Sequence, residues 1–264
     1  MKTRLIALAA LALFGLNLSP AWAGTLEQIK KDGLRVCLEP AYMPFEMTDK
    51  RGQIIGFDPD LAALIAKELS VKLELVSTAW DGIIPALITN KCDIIMSGMT
   101  ITEERSQKIS FTDAYIVIGQ TVLLRKELAN KVKSHKDLND PKYKVVSKLG
   151  TTGEIAAKKE LPKAQYISFE TEQEGVMEVV NGKADAFIYD SPYNAVVIGQ
   201  RGEGKLVFLD SPFTFEPIGW GIRKDDPEFL NWLNNFLKKI KDNGVKYTLY
   251  KKWFKNTDWL KDVQ

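Results

Sequence analysis

Histidine, cysteine and long apolar runs are all scarce in this chain of 264 residues. The one histidine, His135, lies in the polar segment 133–136, far from the predicted strand ends, so a serine–histidine mechanism has no plausible base. No cysteine–histidine metal spacing and no phosphate-cradling glycine loop is present. We therefore expect no metal and no other cofactor, and we expect His135 to be a solvated loop residue.

An excess of charge of one sign is also missing. Lysine and arginine total 36 against 34 for aspartate and glutamate, and the net +2 comes from Lys2 and Arg4 near the first residue. No basic cluster is interleaved with aromatic residues, as a nucleic-acid-binding surface would require. We expect no nucleic-acid partner.

Residues 1–23 have the pattern of a secretory signal peptide. Lys2 and Arg4 precede an apolar run at 5–18, and Ala-Trp-Ala at 21–23 is a small-x-small cleavage site. The run is short for a membrane span, and no later apolar stretch reaches about 18 residues. No cysteine directly follows the cleavage site, so we expect no membrane anchor and a periplasmic mature protein.

The two cysteines, Cys37 and Cys92, belong to a chain that we expect to be exported, where a disulfide is chemically allowed. Cys37 lies in a predicted strand and Cys92 at the start of another. Sequence alone does not show whether their Cβ atoms come within bridging distance. A disulfide and two buried free thiols both stay open.

Strands and helices alternate along the mature chain. The pattern occurs twice, and helical connections between strands predict parallel sheets covered on both faces. The first helix starts at Asp58-Pro59, with a capping acid and a proline at its first position. Predicted strands are 34–39, 71–76 and 93–96, then 144–148, 165–169 and 185–189; the other predicted helices of the two repeats are 82–90, 151–159 and 172–180.

Two extended apolar stretches, 115–124 and 206–222, suit crossings between two α/β lobes. A chain that crosses twice makes a hinge. A last helix begins at Asp226-Pro227 and stops at Gly244, and we place it on the first lobe. The expected division is a first lobe at 24–115 and 219–264, and a second lobe at 116–218 with hinge strands at its ends.

Polar and aromatic residues follow the predicted strands, and ligands of open α/β sheets bind beyond the carboxyl ends of strands. Each has a simple explanation when taken alone: a core aromatic, a helix cap or a solvated acid. Together they indicate a ligand site. The residues are Glu39, Tyr42, Trp80, Ser97, Gly98, Thr100, Thr151, Thr152 and Asp190.

The segment 97–105, Ser-Gly-Met-Thr-Ile-Thr-Glu-Glu-Arg, is followed at 109–115 by Ile-Ser-Phe-Thr-Asp-Ala-Tyr. Together they resemble the signature of the periplasmic polar amino-acid-binding proteins of bacterial ABC importers, solute-binding protein family 3. The resemblance implies a type II periplasmic-binding-protein fold, a free polar amino acid as ligand, a membrane permease as partner, and a monomer. Further matching stretches are 41–46, 56–58, 80–87, 150–154 and 182–190.

Arg105 is the first candidate for a ligand-binding residue. Its guanidinium can grip an α-carboxylate with two parallel charge-assisted bonds, which a lysine could not reproduce. Thr102 is placed to cap the short helix that carries Arg105, and the backbone donors of Gly98 and Thr100, with the Thr100 hydroxyl, can reach the same carboxylate. The alternative for Arg105 is a surface salt bridge with a neighbouring glutamate.

The second lobe would supply Asp190, which accepts hydrogen bonds from the α-ammonium. Thr151 or Thr152 would add a hydroxyl or a helix-start amide to the carboxylate. The alternatives are a helix-capping acid ahead of Pro192 for Asp190 and a helix cap for Thr151. With one anchor on each lobe, a zwitterion would link the two halves, and closure would follow.

The ligand side chain is expected between Tyr42 and Trp80, which resemble the family's aromatic pair. If Glu39 is unpaired, a guanidinium or ammonium is the natural guest, so arginine and lysine are favoured. Lys148 could instead reach across on closure and neutralise Glu39, and a neutral guest such as glutamine would then fit better. Glu39 is also a methylene longer than the aspartate of many relatives.

An enzyme is the alternative from another class. Cyclohexadienyl dehydratases resemble this fold and use a protonated carboxylic acid as general acid, a role open to Glu39 or Glu154. Arg105 and Asp190 both fit an intact amino acid, so we expect a binding protein rather than an enzyme. A soluble receptor that presents its ligand to a separate chemosensor also stays open.

Overall fold

The computed structural model describes residues 24–201 and 204–263, which form two α/β lobes joined by a pair of crossing strands. The predicted signal peptide lies outside the described residues. Within the part of the chain that is described, no helix has both the length and the apolar character needed to cross a membrane.

The strands and helices alternate as the hydrophobic pattern predicts. The strands are β1 (Leu34–Leu38), β2 (Met47–Thr48), β3 (Ile54–Ile55), β4 (Leu73–Ser77), β5 (Ile94–Ile95), β6 (Ser110–Phe111), β7 (Ile116–Ile118), β8 (Gln120–Arg125), β9 (Lys144–Lys148), β10 (Gln165–Phe169), β11 (Ala186–Asp190), β12 (Leu206–Leu209), β13 (Glu216–Ile218) and β14 (Gly221–Ile222). The α-helices are α1 (Thr25–Asp32), α2 (Phe57–Leu69), α3 (Ile83–Ile88), α4 (Glu103–Lys108), α5 (Thr152–Glu160), α6 (Glu172–Val180), α7 (Ser191–Arg201), α8 (Pro227–Asp242) and α9 (Val245–Tyr250).

Each lobe is built on a five-stranded mixed sheet. In the first, β1 pairs in parallel with β4 and β5, and β14 and β6 continue the sheet antiparallel, in the order β4-β1-β5-β14-β6. In the second, β9 pairs in parallel with β10 and β11, and β8 and β12 are antiparallel, in the order β10-β9-β11-β8-β12. The parallel part of each sheet is as expected from helical connections. The antiparallel strands β8, β12 and β14 come from the stretches predicted as crossings.

The chain passes between the two sheets along β7 and β13. These two strands pair antiparallel in a sheet of their own, with Val117 opposite Pro217. Two adjacent extended strands are a common hinge, because small changes in a few backbone dihedrals rotate one lobe against the other.

Helix α8 covers the first lobe with an amphipathic face. Asp226 caps it by accepting a hydrogen bond from the Phe229 amide at 3.0 Å, and Pro227 occupies the first turn. Gly244 follows the helix in a left-handed conformation with φ of 78°. Each large apolar side chain on the buried face contributes about 1.5–3 kcal/mol to stability. These side chains are Phe229, Leu233, Phe236, Leu237 and Ile240.

Cys37 and Cys92 form a disulfide in the first lobe. Cys37 lies in β1 and Cys92 just before β5, with their Cα atoms 5.6 Å apart and both side chains fully buried. Of the two states that the sequence leaves open, the structure has the bridge.

Two local predictions are wrong. Helix α2 begins at Phe57 with Gly56 at its N-cap, where an added Cβ would overlap the backbone of Phe45, so Asp58 is not the cap. The Asp58 side chain instead points into the core. His135 lies half-buried in a 3₁₀ turn, stacked on Phe213 at 4.0 Å between ring centroids, and burial lowers its pKa.

Candidate functional site

A small cavity lies between the lobes at the carboxyl ends of the strands. All the predicted site residues except Lys148 line it, and the lining residue that sequence reasoning missed is Tyr189, next to Asp190 in β11. Lys148, at the end of β9, is fully buried and does not line the cavity itself. Its ammonium pairs with Glu39, which does. The lining residues are Glu39, Tyr42, Trp80, Ser97, Gly98, Thr100, Arg105, Thr151, Thr152, Tyr189 and Asp190.

Arg105 projects from the first turn of α4 into this cavity. The Thr102 hydroxyl caps that helix by accepting from the Arg105 amide at 3.2 Å, as predicted. The guanidinium lies 5.0 Å from the Trp80 ring centroid and donates to the carbonyls of Thr100 at 2.9 Å and Gly150 at 3.4 Å. Gly150 belongs to the second lobe, so Arg105 contacts both lobes.

Burial is the main influence on the Arg105 charge. It lowers the pKa of the guanidinium, against the opposing fields of Glu216 and Asp190. The alternative of a surface salt bridge is not realised, because Glu104 pairs with Lys108 at 3.2 Å on the outer face of α4. A half-buried guanidinium facing a cavity is a suitable partner for a carboxylate.

Asp190 ends β11 on the opposite side of the cavity. Its carboxylate accepts hydrogen bonds from the Tyr42 hydroxyl and from the side-chain amide of Gln120. Burial raises the pKa of Asp190 to about 7, with a further contribution from the carboxylate of Glu216. Tyr42, Gln120 and Arg105 act in the other direction and favour the charged form.

Glu39 pairs with Lys148 across the cleft, which is the second of the two arrangements that the sequence leaves open for Glu39. The Lys148 ammonium also contacts Oε1 of Glu172 at 3.0 Å, and the Tyr189 hydroxyl donates to the same oxygen at 2.9 Å. Burial and the nearby Glu172 raise the pKa of Glu39, and Lys148 opposes that shift. One lysine is thus shared by a carboxylate from each lobe.

Gly98 contributes space rather than a donor. Its amide donates to Asp58 at 2.9 Å, so this N–H is already used within the chain. Gly98 has a φ of 52°, and an added Cβ would overlap the ring of Tyr42. Ser97 next to it accepts from the Glu39 amide at 3.0 Å and donates to Glu46 at 2.6 Å.

The hydroxyls of Thr100 and Thr152 converge on one buried carboxylate in the crossing strand β13. They donate to Glu216 in β13 at 2.9 and 2.7 Å, and Gln120 donates to the other oxygen at 3.0 Å. Neither Glu216 nor Gln120 was predicted as a site residue. Both lie in stretches that the sequence indicates only as crossings between lobes.

Thr151 caps helix α5, which is the simpler of the two roles expected for it, a helix cap or a contact to the ligand carboxylate. Its hydroxyl accepts from the Glu154 amide at 3.4 Å and donates to the Lys148 carbonyl at 2.7 Å. The Glu154 carboxylate binds the Gly150 amide at 2.6 Å and pairs with Lys158 at 2.6 Å. Glu154 is therefore engaged with a backbone amide and a lysine, and it does not line the cavity.

The model of the bacterial extracellular solute-binding proteins, family 3, matches residues 34–256. The chain belongs to this family. Among curated members, a probable histidine-binding protein of Neisseria gonorrhoeae is 34% identical over 83% of this chain and 82% of its own length. An L-arginine-binding protein of Pseudomonas aeruginosa is 30% identical over 95% and 96%.

Solved structures of the family have the same two-lobed type II fold. A putative ABC-transporter binding component from Wolinella succinogenes, in complex with lysine, is 53% identical, with a TM-score of 0.84 over 86% of this chain and 98% of that one. An ancestral amino-acid-binding protein, described as a precursor of cyclohexadienyl dehydratase, is 53% identical, with a TM-score of 0.82 over 87% and 99%.

Proposed function

We propose that this protein captures one free cationic L-amino acid between its lobes and delivers it to the membrane permease of an ABC importer. The observation that carries the proposal is that Arg105 and Asp190 line one cavity from opposite lobes. The guanidinium binds the α-carboxylate, and the Asp190 carboxylate binds the α-ammonium. Relatives named for arginine and histidine, and a neighbour in complex with lysine, support this ligand class.

The ligand side chain extends toward Glu39, alongside Tyr42 and Trp80. An aromatic face and a carboxylate together favour a cation over a neutral amide, through cation–π attraction and charge pairing. Burial and Glu172 raise the pKa of Glu39, as expected for a carboxylate with too little positive charge around it. Arginine and lysine supply that missing charge.

Closure couples binding to delivery. The Trp80 indole donates to the Gly150 carbonyl at 3.0 Å across the cleft, and Arg105 donates to the same carbonyl at 3.4 Å. A ligand held from both sides binds the closed form better than the open form and shifts the hinge equilibrium toward closure. The permease then recognises the closed shape of a periplasmic monomer.

The test is a thermal-shift screen of the twenty amino acids against the wild-type protein and Arg105→Ala. A ligand at a thousandfold excess over Kd stabilises the fold by about 4 kcal/mol. We expect arginine and lysine to raise the melting temperature of the wild type most, and no amino acid to raise that of Arg105→Ala.

Arg51→Ala is the matched control for that screen. Its guanidinium pairs with Asp49 and is 75% exposed, so its removal leaves the cleft intact. Equal shifts for Arg51→Ala and the wild type are expected. If none of the twenty amino acids raises the melting temperature of the wild-type protein, the proposed function is wrong.

A dehydratase is the second candidate, because one similar structure is described as a precursor of that enzyme. Glu39 is paired with Lys148 and Glu154 with Lys158, so neither carboxyl group is free to act as the general acid that a dehydratase needs. We expect no phenylpyruvate from prephenate and no phenylalanine from arogenate after prolonged incubation. Turnover of either compound would show that the protein is a dehydratase and would contradict the proposed binding function.

A further inference from the structure

One lysine lies between two carboxylates at the inner end of the cavity. Lys148 pairs with Glu39 of the first lobe and Glu172 of the second, and its side chain is only 2% exposed. Glu172 is 1% exposed and Glu39 17% exposed. The three side chains therefore form a buried group in which two negative charges share one positive charge.

The nearby polar groups do not supply the missing positive charge. The Tyr189 hydroxyl donates to Glu172 Oε1, and the Trp80 amide approaches Glu39 Oε1 at 3.4 Å, but both donors are neutral. Glu46 lies near the group, and burial raises its pKa well above its usual range, which favours its neutral form. Among the described residues, the buried Oε2 of Glu172 has no hydrogen-bond partner.

We propose that Glu172 is a specificity-determining residue, because it holds Lys148 and so leaves the charge of Glu39 available to the side chain of the ligand. The inference rests on the proposed function and adds the reason for its ligand class. If Lys148 had Glu39 as its sole partner, the two charges would cancel, and the inner end of the cavity would suit a neutral amide such as that of glutamine. With Glu172 present, one negative charge is left, and a guanidinium or ammonium compensates it.

The experiment is isothermal titration of arginine and glutamine into four proteins, comparing the ratio of their affinities. Glu172→Gln removes one negative charge, and we expect the preference for arginine to fall by about tenfold or more, as for loss of a partly buried charge pair. Lys148→Met removes the positive charge and should raise the preference. Lys148→Met combined with Glu172→Gln removes one charge of each sign and should restore a ratio near that of the wild type.

Glu174→Gln is the matched control on the same helix. Glu174 is exposed and forms a capping box with Thr171, which glutamine also supports. The ratio of arginine affinity to glutamine affinity should be the same for Glu174→Gln as for the wild type. If one of the three cleft variants does not fold by circular dichroism, the remaining two still have a predicted order.

The possible failures are distinct. A wild-type protein that binds no amino acid contradicts the proposed function itself. A wild type that prefers arginine, together with a folded Glu172→Gln variant of unchanged preference, contradicts only the role of Glu172. The proposed role of Glu172 would also be wrong if the double variant preferred arginine as weakly as Glu172→Gln does. The net charge of the group would then not determine the specificity.

Discussion

The hydroxyl of Tyr42, on the first lobe, donates a hydrogen bond to the Asp190 carboxylate at the end of β11 in the second lobe. The Tyr42 ring is held from both sides, stacked on Phe45 at 4.8 Å and edge-on to Tyr189 at 5.6 Å between centroids. The carboxylate proposed to bind the ligand ammonium is therefore also a contact that closes the cleft. Closure and binding depend on the same group.

Tyr42→Phe keeps the ring packing and removes this inter-lobe hydrogen bond. A hydrogen bond to a charged group contributes about 1.5–3 kcal/mol, so the open form should gain population when no amino acid is present. We expect a larger radius of gyration by small-angle X-ray scattering than for the wild type, and an equal one at saturating arginine. Identical scattering without ligand would show that the bond does not hold the lobes together.

Amino-acid affinity should depend on pH through Asp190. Its pKa of about 7 means that the carboxylate is partly protonated at neutral pH, whereas binding an ammonium requires the charged form. Affinity should therefore level off above pH 8 and fall below pH 7, by up to about tenfold per pH unit, with proton release on binding. Titrations from pH 5.5 to 8.5 measure this directly.

Glu216→Gln identifies the group that titrates. The negative charge of Glu216 raises the pKa of Asp190, so its removal should shift the midpoint of the affinity profile to lower pH. Asp58 also has a pKa raised to about 7 by burial, and it lies behind Gly98 rather than in the cavity lining. Asp58→Asn should leave the midpoint unchanged, and a shifted midpoint there would move the assignment from Asp190 to Asp58.

Local patterns were enough to predict most of the fold. Strands β9 and β10 and helix α6 have the predicted bounds, because the apolar residues of each element are followed or preceded by polar turn residues. The residues after the strands line one cavity because parallel strands end at the same edge of a sheet.

The missed residues depend on pairings between distant segments. Glu172 looks like an ordinary acid in the first turn of a helix, which the helix dipole alone would explain. Its contact with Lys148 exists only once β9 and α6 pack together. The prediction of Asp58 as a helix cap is wrong for a related reason. An acid before a proline resembles a helix start, whereas the partners of Asp58, Gly98 and Tyr115, lie far along the chain.

Gly98→Ala should weaken amino-acid binding without unfolding the protein. A methyl group at this position would overlap the Tyr42 ring, and a φ of 52° is strained for alanine. The Tyr42 ring must then move into the cavity or away from Asp190. We expect arginine affinity to fall by at least about tenfold, with a stability loss of about 1–3 kcal/mol, in calorimetry and urea unfolding. Gly182 also has a positive φ, but an added Cβ there would meet no neighbouring atom. The control variant Gly182→Ala should therefore lose stability and keep the wild-type affinity for arginine.

The Cys37–Cys92 bridge should stabilise the first lobe with little effect on binding. It links positions 55 residues apart, and closing a loop of that length in the unfolded chain corresponds to about 4 kcal/mol of stability in the chain-entropy model. Both sulfurs are buried in an apolar cluster with Ile83 and Leu87, away from the cavity lining.

The double variant Cys37→Ala/Cys92→Ala should therefore unfold at lower urea concentration, yet bind arginine at 25 °C with wild-type affinity. Because both variant side chains are small and apolar, packing loss accounts for only part of the change, and comparison with the reduced wild type separates the two contributions. A reduced wild type as stable as the oxidised protein would show that the bridge contributes nothing to the fold.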